Sequence, residues 1–378
     1  MKTTEVPTKI WLSSPHMGGN ELNYIHEAFD TNWVAPLGPN VNAFEKAIEV
    51  ELGQGVYAAA LSSGTGAIHL GLKLLGVGVG DEVICQSFTF SASANPIMYL
   101  GAKPIFVDSE TDTWNIHPEL LRKAIENRIK NYKKPKAIIA VHLYGMPYKI
   151  EAVRAIADEF QIPILEDSAE ALGSSYKGIS CGTFGNIGIL SFNGNKIITT
   201  SGGGALVSKD KEIRDKAIFL ATQARDDAPH YQHSHVGYNY RMSNVLAGIG
   251  RGQMEVLGDR VKARRKNHDF YVQALEGCLD IHFLFEPKDY FSNRWLSCIL
   301  TSSYDMREML RNALLEENIE SRPLWKPLHL QPIFSTCEQF LDGTSEDLFN
   351  RGLCLPSGSN LEQKDLERVV ATIKNVLS

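Results

Sequence analysis

Short apolar runs rich in β-branched residues alternate with helical patterns along residues 56–208 of this chain. Each run is long enough for one strand, and each is followed by the apolar spacing of an amphipathic helix. Strands and helices that alternate in this way form βαβ units, whose strands pair in parallel. The alternation therefore predicts an α/β fold with a mostly parallel central sheet. The predicted strands are VYAAAL (56–61), EVICQ (82–86), PIFVD (104–108), AIIAVHLYG (137–145) and IPILED (162–167).

The alternation ends at the next two apolar runs. IGILSF (187–192) and GGALVS (203–208) are separated by a loop with no room for a helix, so we expect at least one antiparallel strand. Beyond about residue 240 a charged helical pattern leads into mixed strand and helix signals, which predict a smaller α+β domain. We expect a large domain over residues 1–250 and a small C-terminal domain over 251–378. Residues 1–35 are a segment that could pack on the small domain.

Charge argues against a nucleic-acid partner. The chain has 378 residues and a formal net charge of −6, with no basic block to offset phosphate repulsion. The nearest basic run, residues 260–266, is interpreted as the solvated face of a helix.

The six cysteines are scattered without a CxxC pair, and the histidines are not clustered. This pattern predicts no metal site and suits a reducing cytoplasm. The N-terminal segment has no apolar core of a signal peptide, and no later run is long enough to span a membrane. We therefore expect a cytoplasmic protein without a membrane partner.

Polar residues follow three of the predicted strands, where a doubly wound sheet places its ligand crevice. The first set, Ser62-Ser63-Gly64-Thr65-Gly66, lies at a strand-to-helix junction. Small residues at a helix N-terminus let backbone N–H groups and the Thr65 hydroxyl approach a phosphate. A simple helix N-cap is the alternative interpretation.

The second set contains Asp167, at the end of the buried run IPILED. A buried carboxylate is costly unless it meets a cation or a strong donor. A pyridinium N–H is such a partner, and a protonated pyridine nitrogen makes pyridoxal phosphate an electron sink. A helix cap or a buried ion pair remains the alternative.

The third set surrounds Lys196 in the loop SFNGNKIITTSGGG. Ser191 precedes this lysine, and Gly202-Gly203-Gly204 follow it. A lysine on the floor of a pocket would lose solvation, which favours the neutral, nucleophilic amine of a Schiff-base enzyme. An exposed hairpin lysine is the alternative.

The order of these sets resembles the DegT-type nucleotide-sugar aminotransferases, which share the aspartate-aminotransferase fold (pyridoxal-phosphate fold type I). The resemblance covers residues from about 11 to 358 and implies a pyridoxal 5′-phosphate cofactor. Its motifs are SSGTGAIHLGL, GDEVICQSFTFSASANPI, GAKPIFVD, HLYG, EDSAEALGS, GTFGNIGILSFNGNKIITTSGGG, GYNYRMSNVLAGIGRGQ and RPLWKPLH.

The resemblance also implies roles for single residues. Lys196 would bind the cofactor covalently and then act as the acid and base of the reaction, and Asp167 would pair with the pyridine nitrogen. Phe90 would stack on the ring. Glu170 stands where relatives often carry Gln or His, so its role near the ring hydroxyl is left open. The phosphate ligands would be Gly64, Thr65, Ser191 and, from the partner subunit of a homodimer with shared active sites, Asn239.

Several segments resemble the subgroup that transfers an amino group from L-glutamate to C4 of UDP-4-keto-6-deoxy-N-acetylglucosamine, on the bacillosamine route. The implied product is UDP-2-acetamido-4-amino-2,4,6-trideoxyglucose. Another nucleotide-linked keto-sugar, such as a dTDP-sugar aminated at C3 or C4, is the alternative. The candidate substrate residues are His16, Met17, Asn193, Asn195, Arg225, Arg322, Trp325 and His329.

Two other classes of protein share this fold. A pyridoxal-phosphate lyase or desulfurase would need a mobile reactive cysteine, and Cys181 is the only one close in sequence to the lysine loop. A sensory module that has lost catalysis would be expected to lack part of the set Asp167, Ser191 and Lys196. All three residues are present in this chain.

Overall fold

The structure is a computed structural model that describes residues 8–378. The seven residues before them, which belong to the predicted 1–35 segment, lie outside the described part. The strands are β1 (Tyr57–Leu61), β2 (Glu82–Gln86), β3 (Lys103–Val107), β4 (Ala137–Val141), β5 (Ile164–Asp167), β6 (Ser175–Tyr176), β7 (Ile179–Ser180), β8 (Ile187–Ser191), β9 (Gly204–Ser208), β10 (Ile281–Phe283), β11 (Tyr290–Phe291), β12 (Ser297–Thr301), β13 (Arg322–Pro323), β14 (Glu338–Phe340) and β15 (Gly352–Leu355).

Twelve α-helices lie within the described residues. They are α1 (Glu21–Asp30), α2 (Pro39–Leu52), α3 (Gly64–Leu74), α4 (Asn95–Tyr99), α5 (Pro118–Asn131), α6 (Ile150–Phe160), α7 (Lys211–Ala221), α8 (Asn244–Glu255), α9 (Leu257–Ala274), α10 (Tyr304–Glu316), α11 (Thr344–Arg351) and α12 (Gln363–Leu377).

The largest sheet has eight strands in the order β1-β9-β8-β5-β4-β2-β3-β14. All neighbours from β8 to β14 pair in parallel, whereas β9 is antiparallel to both β8 and β1. The predicted mostly parallel sheet is therefore confirmed, as is the antiparallel strand after the lysine loop. The connection, residues 192–203, contains no helix that could cross the face of the sheet, so the chain returns antiparallel.

Side chains of successive strand residues point to opposite faces of the sheet, and helices cover both faces. Val83 and Cys85 of β2 belong to the core that contains α3 and α7, while Ile84 between them belongs to the core that contains α5 and α6. Strands covered on both faces read as continuous apolar runs, which explains the composition of the predicted strands.

A second, antiparallel sheet has the order β10-β12-β15-β13 and shares a core with α10 and α12. Ile10 joins this core and bridges to Ile319. Residues 338–340 instead extend the large sheet as β14. The domain boundary at residue 250 stays a prediction. No helix within residues 8–378 is long and apolar enough to cross a membrane.

A buried hydrogen-bonded pair anchors β5 beneath the crevice. The Nε2 of His142 lies 2.5 Å from Oε1 of Glu166, and both side chains are fully buried. The carboxylate also accepts backbone N–H groups of Gly182, Phe184 and Gly185 at 2.6–2.8 Å. Burial alone would raise the pKa of Glu166, but these hydrogen bonds outweigh burial and hold the pKa below its ordinary value of 4.5.

We expect Glu166→Gln to lower the free energy of unfolding at pH 7 by about 3 kcal/mol, because removing one partner of a buried pair leaves donors unsatisfied. A carboxyl with a lowered pKa stabilises the fold above its unfolded value, so the deficit should be full above pH 4.5 and shrink as the pH falls further. Urea denaturation across pH measures it. Glu159→Gln, at an exposed carboxylate, is the control; an equal deficit in both variants would contradict the account.

Candidate active site

A pocket of about 330 Å³ opens at the carboxyl ends of β4, β5 and β8. Such a position is where parallel sheets present ligand sites. The pocket brings together ten residues predicted from the sequence, which are Gly64, Thr65, Phe90, Asp167, Glu170, Ser191, Asn193, Asn195, Lys196 and Trp325.

The turn between β1 and α3 forms one wall of the pocket. Ser63 caps α3, since its hydroxyl accepts the N–H of Gly66 at 3.0 Å. As in any helix, the first N–H groups, at Gly64 and Thr65, have no intrahelical partners. A Cβ at Gly204 would lie 2.4 Å from the nitrogen of Gly64, so only glycine lets β9 approach the turn this closely.

Asp167 ends β5 and is 4% exposed. Its Oδ2 accepts the hydroxyl of Ser93 at 2.6 Å, and its Oδ1 accepts the N–H of Ala169 at 3.2 Å. The residues after Asp167 form turns and not a helix, so the helix-cap alternative is wrong, and this carboxylate lines the pocket instead.

Lys196 lies in the loop between β8 and β9, and its side chain is 13% exposed. Its Nζ lies 3.6 Å from Oε1 of Glu170 and 4.2 Å from the ring centroid of Trp295. The indole N–H of Trp295 donates to the backbone oxygen of Asn195 at 2.7 Å, which fixes the loop. The predicted exposed-hairpin alternative is thus wrong.

Glu170 completes the lysine environment. Burial raises the pKa of this carboxyl, while the nearby Lys196 opposes the rise. Its Oε2 accepts the backbone N–H of Tyr144 at 2.7 Å. The carboxyl group can therefore hold a proton more readily than an exposed glutamate can.

An aromatic stack closes the pocket towards the second sheet. The ring of Tyr144 lies between Trp295 and Trp325, at centroid distances of 6.3 and 6.1 Å. Phe90 packs on Trp325 at 5.3 Å and keeps 53% of its surface exposed. Sequence reasoning missed Trp295, which lines the pocket, and Tyr144 of the strand-end motif HLYG, which packs against it.

The basic run 260–266 is not a fully solvated helix face, and that interpretation is wrong for two of its arginines. Arg264 is 1% exposed and Arg260 is 8% exposed. Arg264 donates to the backbone oxygens of Trp295 and Lys196 at 2.5 and 3.5 Å, and burial lowers its pKa to about 9. Carbonyl acceptors compensate for burial of the guanidinium, which a charge pattern cannot reveal.

Three predicted substrate residues lie outside the pocket lining with polar partners of their own. His16 Nδ1 lies 3.1 Å from the hydroxyl of Ser359. His329 is buried, with Nδ1 2.7 Å from the hydroxyl of Ser87 and Nε2 3.2 Å from Glu346. The third, Arg322, is exposed and pairs with Glu320 at 2.7 Å.

The other three predicted residues outside the pocket are exposed on the surface. Met17 is 50% exposed, and Arg225 stacks over Tyr231 at 4.6 Å. Asn239 is exposed, and its backbone forms an isolated antiparallel β-bridge with Thr222. One chain alone does not bring these side chains to the pocket.

A family model for the DegT/DnrJ/EryC1/StrS aminotransferases matches residues 15–374. The chain belongs to this family. It is 52% identical to the pyridoxal phosphate-dependent aminotransferase named EpsN from Bacillus subtilis, over 97% of this chain and 95% of that protein. It is 39% identical to the GDP-perosamine synthase of Escherichia coli O157:H7, over 96% and 97% of the two chains.

Solved structures of this aminotransferase family share the fold. A DegT DnrJ EryC1 StrS aminotransferase from Brucella abortus superposes with a TM-score of 0.88 and 30% identity, covering 94% of this chain and 95% of that one. The PLP form of the sugar aminotransferase Spr1654 from Streptococcus pneumoniae gives a TM-score of 0.90 at 26% identity, with 98% and 99% covered. The fold is therefore that of a fold-type I enzyme, and the protein is a pyridoxal-phosphate-dependent sugar aminotransferase.

The residues of the pocket fit this cofactor. Gly64, Thr65 and Ser191 line the pocket at the N-terminus of α3, where backbone N–H groups and hydroxyls suit a phosphate group. A buried carboxylate at Asp167 suits a protonated pyridine nitrogen, and a shielded amine at Lys196 suits an aldehyde.

Proposed function

We propose that the enzyme transfers an amino group from L-glutamate to C4 of a UDP-4-keto-6-deoxy-N-acetylhexosamine, giving UDP-2-acetamido-4-amino-2,4,6-trideoxyglucose. The observation that carries the aminotransferase chemistry is the convergence of Lys196, Asp167 and Glu170 in one pocket. The choice of a UDP-linked sugar rests on the bacillosamine-type segments, among them SPHMGGNE (14–21) and ESRPLWKPLH (320–329).

Bound pyridoxal phosphate would supply an electron sink and carry the amino group between the two substrates. We assign Lys196 to the covalent attachment of this cofactor. Once released, its Nζ would take a proton from the donor carbon and return it during amination. The carboxyl of Glu170, 3.6 Å from Nζ, would hold the amine in place and keep water from displacing it.

The remaining pocket residues would bind and orient the cofactor. Asp167 would keep the pyridine nitrogen protonated, and the exposed face of Phe90 would stack on the ring. Gly64, Thr65 and Ser191 would hold the phosphate. Asn193, Asn195 and Trp325 also line the pocket and are proposed sugar contacts, whereas the other substrate candidates and the cytoplasmic location stay predictions.

A GDP-linked keto-sugar is the second candidate substrate. It is favoured by the GDP-perosamine synthases of Escherichia coli O157:H7 and Vibrio cholerae, which are 39% and 35% identical to this chain. A lyase or desulfurase is less well supported, because Cys181 is fully buried and burial raises the pKa of its thiol well above the ordinary value.

The substrate is tested by incubating the enzyme with L-glutamate and matched UDP-, GDP- and dTDP-linked 4-keto-6-deoxy sugars. Mass spectrometry should detect the amino-sugar fastest with the UDP compound, with kcat/KM at least about tenfold above the others. A preference for the GDP compound would contradict the UDP-linked substrate and support a GDP-linked keto-sugar instead. Amination of none of them would reject a 4-keto nucleotide sugar as the substrate.

We also propose a homodimer with shared active sites, in which Asn239 binds the phosphate held by the partner subunit. Support comes from the exposure of Asn239 and from its position outside the pocket lining of its own chain.

Mixing two defective variants tests the shared site. Lys196→Ala and Asn239→Ala should each be impaired, and dissociating and reassociating them together should restore roughly a quarter of the wild-type sites, since half of random dimers carry one intact site. A site built within one chain would show no recovery. Light scattering on the wild type should show at least a dimer.

A further inference from the structure

We propose that Ser93 and Thr89 form a directional hydroxyl chain that positions the Asp167 carboxylate for the pyridine nitrogen of the cofactor. This inference rests on the role of Asp167 in the proposed function. Neither hydroxyl was expected from the sequence to act in the site. Both residues are positioning residues, since they act through Asp167.

The direction of the chain follows from the number of protons. Ser93 Oγ lies 2.6 Å from Oδ2 of Asp167, and an ionised carboxylate can only accept. Ser93 therefore donates its single hydroxyl proton to the hydrogen bond with Asp167. Thr89 Oγ1, 2.9 Å from Ser93 Oγ, must then donate to the serine oxygen.

Burial makes these hydrogen bonds effective. Thr89, Ser93 and Asp167 line the pocket wall but are only 3%, 2% and 4% exposed, so water competes little with these hydrogen bonds. The other carboxylate oxygen accepts the N–H of Ala169. With one donor on each oxygen, the carboxylate has one defined orientation at the pocket wall.

The same segment supplies the stacking residue. Phe90 lies between the two hydroxyl residues in sequence, and its backbone oxygen accepts the N–H of Ser93 at 3.1 Å. Ser93 ends the short 3₁₀ helix Ser91–Ser93, 74 residues before Asp167. One rigid turn after β2 therefore sets both the ring face offered by Phe90 and the direction of the Asp167 carboxylate.

The test compares pyridoxal-phosphate binding by apo-protein variants, followed by the absorption spectrum of the bound cofactor. Ser93→Ala should raise the dissociation constant about tenfold, because a hydrogen bond to a charged group is lost. It should also shift the absorption maximum, since the carboxylate polarises the ring. Thr89→Val should raise the dissociation constant by less than Ser93→Ala does. Ser93→Thr keeps a hydroxyl and should bind the cofactor like the wild type.

Two controls separate positioning from general damage. Ser91→Ala changes a serine of the same 3₁₀ helix whose side chain does not line the pocket, and it should bind like the wild type. In an Asp167→Asn background, Ser93→Ala should weaken binding by less than about twofold, because coupled residues are not additive. Thermal midpoints of the apo variants report any loss of fold.

Binding within twofold of wild type by Ser93→Ala, with an unchanged spectrum, would overturn the inference while leaving the proposed function intact. An equal tenfold loss in the Asp167→Asn background would also overturn it. Absence of cofactor uptake by the wild type would instead reject the proposed function. Should Ser93→Ala fail to fold, Ser93→Cys gives the same test, since a thiol is a weak donor of similar size.

Discussion

Lys196→Ala should lower aminotransferase turnover at least about 10³-fold, because it removes both the covalent anchor and the group that moves the proton. Binding of pyridoxal phosphate should persist, since the contacts of Thr65, Ser191 and Asp167 remain. Steady-state kinetics with a keto-sugar and L-glutamate measures the loss. Lys46→Ala, at an exposed lysine on α2, is the matched control and should keep wild-type turnover.

Borohydride reduction of the wild-type holoenzyme checks the same assignment by a different route. Peptide mass spectrometry should find the reduced cofactor on Lys196. Turnover near the wild-type value in Lys196→Ala, or attachment of the cofactor at another lysine, would contradict the role assigned to this residue.

Asp167→Asn should lower turnover about 10²-fold or more, since a neutral amide cannot stabilise a protonated pyridine nitrogen as a carboxylate does. The variant should also bind the cofactor more weakly. Asp215→Asn, on the surface of α7, is the control and should leave both quantities unchanged. Equal turnover in the two variants would mean that Asp167 serves only to hold the turn at Ala169.

Structural features that depend on a few neighbouring residues were predictable from the sequence. The apolar residues IPIL lead into the acidic strand end at Asp167, and the connection around Lys196 has no helical pattern, which indicates an antiparallel return. The phosphate turn at Gly64 likewise combines a strand end, small residues and a helix start within a few positions.

Contacts between distant segments were not predictable in the same way. The pairing of β14 with β3 and the hydrogen bond between Ser93 and Asp167 join residues far apart in the chain, which periodicity does not report. Arg264 was misinterpreted because a charged helix pattern usually marks a solvated face. Its burial depends on the carbonyl of Trp295, which lies on another element of the fold.

The most direct test of the central claim separates the two halves of amino transfer. The wild-type holoenzyme is incubated with ¹⁵N-labelled L-glutamate, freed of glutamate by gel filtration, and then mixed with the UDP-4-keto sugar. We predict that the product amine carries ¹⁵N in an amount of about one per subunit, because the holoenzyme retains one amino group per bound cofactor between the two substrates. A sugar product without the label, or no amination until glutamate is returned, would contradict the account.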